Sequence, residues 1–81
     1  MVKQVRKRDG TREAFDRSKI ATAIRQAFDA TETEPAEGIE PLTDAVIDRL
    51  DGDEAAVEEI QDHVERTLFA AGAYEAAKRY I

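Results

Sequence analysis

The sequence predicts an α+β domain: a small four-helix bundle capped by an N-terminal β-hairpin or small sheet. Three observations lead to this prediction. A short, partly alternating segment with an Asp-Gly turn signal opens the chain. Four segments with apolar residues at helical spacing follow it. A length of 81 residues allows one small domain, which we assign to residues 1–81.

Residues 2–15 are predicted to form the β-hairpin. Asp9 and Gly10 both tolerate positive φ, so they are expected to make a two-residue turn. The segment from Thr11 to Phe15 then returns as the second strand. Because two strands alone are marginally stable in water, the hairpin must pack against the rest of the chain.

The first helix is predicted over residues 17–30, and its start carries a clear local signal. Asp16 is a typical N-cap residue. Phe15 and Ile20 stand at the two positions of a hydrophobic staple. The helix is therefore expected to leave the hairpin directly, without an intervening loop.

Three more helices are predicted from apolar residues at helical spacing, over about 40–50, 54–70 and 73–81. The segment 31–38 contains Pro and Gly without periodicity, which indicates a loop. Gly72 is typical of the position just beyond a helix C-terminus. The fourth helix reaches Ile81, an apolar residue, so we expect the chain to be a fragment of a larger protein.

Charge is unevenly distributed along the chain. Residues 1–26 carry a net charge of +5 and residues 27–81 a net charge of −11, within a total of −6. This asymmetry indicates a local anion site. Lys7, Arg8 and Lys19 are the cations we place there, beside a helix N-terminus whose unpaired N–H groups also favour an anion.

Composition excludes several classes of site. The chain has no cysteine, which excludes disulfides, thiolate metal sites and a cysteine nucleophile within it. No metal site is expected, and a catalytic or metal role for His63 is not favoured. No apolar run has membrane-spanning length, so we expect a cytoplasmic protein with no membrane partner.

Three stretches, in order and at the right separation, resemble the signatures of the ATP-cone domain family. The first has Lys-Arg-Asp-Gly at 7–10 followed by Glu-x-Phe-Asp-x-x-Lys-Ile at 13–20. The second is Val-Glu-Glu-Ile-Gln-Asp at 57–62, and the third is Ala-x-Ala-Tyr-x-x-Ala at 71–77. The resemblance covers nearly the whole chain.

The resemblance implies an allosteric regulatory domain of a ribonucleotide reductase, without catalysis of its own. Its effector would be ATP or dATP with Mg²⁺, and its protein partner a catalytic or radical-generating reductase subunit whose assembly it controls. Carried over by position, the implied nucleotide-binding residues are Val5 and Lys7 along the nucleotide, Arg8 and Lys19 at the phosphates, Glu13, Phe15 and Asp16 near base and ribose, and Val57 and Gln61 on the third helix.

The residues alone leave alternatives open. The basic segment could bind nucleic acid or dock an acidic partner, although the −11 remainder makes nucleic acid the less favoured partner. Glu13 could instead pair with Arg6 or Arg12 across the hairpin. Family members often carry Ser or Thr where this chain has Ala55-Ala56, so either a cap or polar ligand contact is absent there or Asp53 replaces the cap of the third helix.

Overall fold

The computed structural model describes residues 1–80 and has an α+β architecture, which confirms the predicted fold class. Four helices and a three-stranded sheet make up the part described. In chain order they are β1 (Gln4–Arg6), β2 (Arg12–Ala14), α1 (Arg17–Ala30), α2 (Ile39–Asp48), β3 (Glu54–Ala56), α3 (Val57–Ala70) and α4 (Tyr74–Tyr80). Ile81, the predicted end of the fourth helix, lies outside the described residues.

The strands β1 and β2 pair antiparallel, and a further hydrogen bond between Lys7 and Thr11 leaves residues 8–10 as a three-residue loop, so the prediction of a two-residue turn is wrong. The Lys7 amide donates to the Thr11 carbonyl at 2.7 Å, and the Gly10 amide donates to the Lys7 carbonyl at 3.0 Å. Within this loop, only Gly10 has a positive φ, of 88°. The Asp9 carboxylate instead accepts from the Thr11 backbone N and hydroxyl at 2.9 and 2.6 Å, which holds the loop from within.

Residues 54–56 form a third strand, whereas the sequence predicts a helix there. The strand β3 pairs parallel to β1, with Gln4 opposite Glu54, Val5 opposite Ala55 and Arg6 opposite Ala56. The strand order is therefore β2-β1-β3, and the helix α3 begins only at Val57. Asp53 does not cap this helix, because its N-cap is Ala56 and no side chain caps its first amides.

The ends of α1 and α3 follow their local sequence signals. Asp16 is the N-cap of α1, and its carboxylate accepts from the Ser18 amide at 3.0 Å. Gly72 follows the C-cap of α3 with a φ of 79°. Its amide donates to Phe69, and the next amide donates to Leu68, which is the Schellman pattern that stops a helix.

Each helix contacts two others: α1 and α3 both pack against α2 and α4. The largest fully buried side chains lie between them, namely Ile24, Thr43, Val46, Val64 and Leu68. Val2 and Ala55 extend this core to the sheet. Among residues 1–80, no helix is both long enough and apolar enough to cross a membrane.

Candidate functional site

Glu13 forms ion pairs with two lysines from different elements. Lys7 Nζ lies 3.2 Å from Glu13 Oε2, and Lys19 Nζ lies 3.2 Å from Glu13 Oε1. Lys7 follows β1 and Lys19 belongs to the first turn of α1, so one carboxylate ties the hairpin to the helix. Hydrogen bonds from Lys19 and then Lys7 lower the pKa of the Glu13 carboxyl below its usual value.

The alternation of side chains along the strands explains this arrangement. Val5 and Glu13 are opposite each other and share the face of the sheet that packs toward the core. Arg6 and Arg12 are likewise opposite each other but project from the other face, where both pair with Glu54. The alternative in which Glu13 pairs with Arg6 or Arg12 is therefore wrong.

Arg8 connects the tip of the hairpin to α3. Its guanidinium donates to Gln61 Oε1 and to Glu58 Oε1, each at 3.0 Å. Glu58 is not among the site residues that the family resemblance implies. It lies fifty positions from Arg8 in the sequence, so no local sequence pattern could have predicted this contact.

The other predicted residues, Asp16, Phe15, Val5 and Val57, cap a helix, pack against the core or begin a helix. Asp16 caps α1, and the hydrogen bonds from Ser18 that make the cap also lower the pKa of its carboxyl. Phe15 and Val5 are partly buried and pack against the core. Val57 is the first residue of α3, one turn before Gln61.

The structure thus brings Lys7, Glu13 and Lys19 into one cluster and Arg8 with Gln61 into a second. Lys7 and Arg8, one from each cluster, are consecutive residues directly after β1. The start of α1 contacts the hairpin through Lys19 and the start of α3 contacts it through Glu58 and Gln61, and α3 has no side-chain cap. Three cations at the starts of two helices form an arrangement suited to a polyphosphate.

Lys19 has a partner without any bound anion. A cation in the first turn of a helix opposes the helix dipole, which in the sequence suggests a missing anion. Glu13 supplies that negative charge in the structure. The geometry therefore offers two partners for Lys19, the carboxylate of Glu13 and a phosphate.

Metal-binding geometry is not found in the part of the chain described: no three His, Asp or Glu side chains there are grouped to hold an ion. His63 lies on α3 with Nδ1 buried and without a hydrogen-bond partner among residues 1–80.

A family model described as the ATP cone domain matches residues 3–81. The chain belongs to the ATP-cone family. ATP cones are regulatory domains that bind ATP or dATP as allosteric effectors, so the nucleotide-binding and regulatory class that the resemblance implies is confirmed.

Relatives of this ATP cone are much longer proteins. A vitamin B12-dependent ribonucleoside-diphosphate reductase of Thermoplasma acidophilum is 42% identical over 72 residues, covering 88% of this chain and 9% of the relative. The α subunit of a ribonucleoside-diphosphate reductase of Chlamydia pneumoniae is 42% identical, covering 93% and 8%. A vitamin B12-dependent reductase of Mycobacterium tuberculosis is 37% identical, covering 96% and 11%. The chain spans about a tenth of the length of these relatives.

Proposed function

We propose that this ATP cone binds ATP or dATP, as the Mg²⁺ complex, where the hairpin meets α1 and α3. The observation that carries the proposal is the pairing of Lys7 and Lys19 with the single carboxylate of Glu13. Two cations converge there on one anion, and their side chains are 50% and 64% exposed, so a phosphate can reach both.

Binding would be an exchange of anions. Phosphate oxygens take the place of the Glu13 carboxylate at Lys7 and Lys19, and Arg8 turns from Glu58 toward the same phosphates. Charge-assisted hydrogen bonds of this kind contribute about 1.5–3 kcal/mol each. The exchange is favourable when the phosphates offer more such contacts than the single carboxylate they replace.

The remaining predicted residues surround the rest of the nucleotide in this proposal. Val5, Phe15 and Val57 give the adenine ring an apolar boundary. Glu13, once released, and Asp16 accept hydrogen bonds from the ribose hydroxyls. Gln61 changes its partner from Arg8 to the nucleotide and so links the site to α3.

We further propose that the parent protein is a cytoplasmic ribonucleotide reductase and that the cone regulates it without catalysis of its own. The names of the relatives support this, since all three are ribonucleoside-diphosphate reductases. In this proposal the four helices form one bundle, and the sheet caps it. The bound nucleotide would change how the cone meets a catalytic or radical-generating subunit, which a ligand can do only by favouring one arrangement over another.

Calorimetric titration with ATP, dATP and GTP in magnesium buffer tests the site. Lys7→Ala with Lys19→Ala removes both cations and should weaken adenine-nucleotide binding by about a hundredfold or more, since each contact contributes about 1.5–3 kcal/mol. The matched control is Arg6→Ala with Arg12→Ala. It removes the same charge from the other face of the same hairpin, and we expect it to leave binding within about threefold.

Equal losses in the two double variants would show general charge attraction in place of a site. Failure of the unmodified chain to bind either adenine nucleotide would overturn the proposal itself. Circular dichroism of each variant establishes that the helices are intact before binding is compared.

A further inference from the structure

Two large apolar side chains are exposed next to each other where α3 ends and α4 begins. Phe69 is 39% exposed and Tyr74 57%, and their ring centroids are 5.8 Å apart. Apart from Met1, no other large hydrophobic side chain in the described part of the chain is exposed. Paired exposed aromatic residues are typical of a surface that contacts another molecule.

Tyr74 also lines a groove of about 790 Å³. One wall is the loop 33–37, the second is α2, and the third is the turn between α3 and α4. Most of the lining is small or apolar, including Pro35, Pro41, Leu42, Ala45, Ala70 and Ala73. Phe28, almost fully buried, lies at its base. The groove can therefore accept apolar side chains without any rearrangement of the core.

The charged lining of the groove is mainly acidic. It comprises Glu34, Glu37, Glu75 and Arg49. Glu34 is paired with Arg25, whereas Glu37, Glu75 and the one lining cation, Arg49, have no ion pair within residues 1–80. Residues 27–81, which include the whole lining of the groove, carry a net charge of −11. An occupant with apolar anchors and positive flanks would match both features.

This groove is separate from the proposed nucleotide site. None of the nine predicted nucleotide-binding residues lines it. Lys19 and Gln61 stand near the starts of α1 and α3, whereas Phe28 and Ala70 stand near their ends. Nine positions along a helix correspond to about 13 Å. A partner could therefore occupy the groove while a nucleotide occupies the hairpin end.

We propose that the groove docks a basic amphipathic helix of a partner protein. Its apolar face contacts Tyr74, Leu42 and the small residues between them, and its lysines or arginines face Glu37 and Glu75. A helix is favoured over a strand because helices and a loop form the walls and no sheet edge reaches the groove. The proposal does not depend on the nucleotide site.

The test uses the ¹⁵N-labelled chain and two synthetic helical peptides of about 14 residues with leucine at every third or fourth position. One carries lysine at its other positions and the second carries glutamate. We expect the lysine peptide to shift the backbone amide signals of residues 33–37 and 70–76 saturably, and the glutamate peptide to shift none of them. Tyr74→Ala and Glu75→Lys should each weaken binding by about tenfold.

Glu59→Lys is the matched control, because it makes the same charge change on the exposed first turn of α3. It should leave the affinity for the lysine peptide within about twofold. The proposal is overturned if Tyr74→Ala and Glu75→Lys both bind like the unmodified chain or if no saturable shift occurs at millimolar peptide. It is also overturned if the shifted signals belong to the acidic residues Glu58, Glu59, Asp62 and Glu65 of α3.

Discussion

Glu13 holds together two lysines that would otherwise repel each other across the junction of hairpin and helix. The register of β1 and β2 places it on the core-facing side of the sheet, within reach of α1. The same register sends Arg6 and Arg12 to the other side, to Glu54. Because successive strand residues project from opposite faces, Lys7 remains near the proposed nucleotide site whereas Arg6 and Arg12 do not.

The stability of the domain should fall in acid, and Glu13 should contribute to the fall. Lys19 and Lys7 lower its pKa in the folded state, so at mildly acidic pH the unfolded chain binds more protons there. The contribution is fully present above the usual value of 4.5 and is lost as the pH falls through the lower folded value. We expect Glu13→Gln to show a shallower decline in melting temperature than the unmodified chain between about pH 5 and pH 3.

Glu65→Gln provides the control. The substitution makes the same change in charge, and Glu65 forms no ion pair among the residues described. Its melting temperature should decline with the same slope as that of the unmodified chain. An unchanged slope in Glu13→Gln would show that the two lysine contacts do not persist in solution.

At the level of elements, the start of α3 is unusual. The strand β3 runs into the helix at Ala56, whose extended backbone has the geometry of an N-cap but whose side chain cannot accept a hydrogen bond. The preceding Ala55 is 1% exposed and lies against Val5. The two alanines therefore have different constraints, although they look interchangeable in the sequence.

Ala56→Ser should stabilise the domain, because a serine hydroxyl can accept from an amide of the first turn of α3. The expected gain is about 0.5–1 kcal/mol in the free energy of unfolding, a rise of a few degrees in melting temperature. Ala55→Ser is the matched comparison and should lower stability by about 1–3 kcal/mol, since it buries a hydroxyl. Thermal and urea unfolding measure both. A variant Ala56→Ser no more stable than the unmodified chain would argue against the cap geometry.

Elements with local signals were predictable from the sequence, and elements set by distant contacts were not. Asp16 caps α1 and Gly72 terminates α3 through hydrogen bonds within a few residues, and both stand where the sequence predicts them. The residues Glu54–Ala56 include no β-branched or aromatic residue, so nothing local favours a strand. Only their parallel pairing with β1, about fifty positions away, makes them one.

The candidate site divides in the same way. Lys7, Arg8 and Lys19 are identifiable as a cationic group from the sequence, because they lie close together around a turn and a helix start. The carboxylates that pair with them are harder to predict from the sequence. The partner of Arg8, Glu58, becomes its neighbour only when the third strand brings α3 beside the hairpin.

At the scale of the whole molecule, the positive N-terminal segment is neutralised by internal pairs. Every Lys and Arg between positions 6 and 25 forms an ion pair with a carboxylate: Arg6, Lys7, Arg8, Arg12, Arg17, Lys19 and Arg25. These side chains are 39% to 69% exposed. Each such pair contributes little to stability, about 0–1 kcal/mol, yet together they remove the free basic patch that the sequence suggests.

Single-stranded DNA should therefore bind poorly. A mononucleotide places its phosphates close together and displaces few carboxylates. A DNA strand must instead displace carboxylates from cations on several elements, and it must approach the acidic residues of 27–81. In fluorescence anisotropy with a labelled oligonucleotide of about 20 bases in roughly 0.1 M salt, we expect no saturation at concentrations where Mg-ATP saturates the chain. Glu54→Gln releases Arg6 and Arg12 and should raise DNA affinity, which checks the sensitivity of the assay. If DNA binds more tightly than ATP, with an affinity that falls steeply as salt is added, the nucleic-acid function is favoured over nucleotide-dependent regulation.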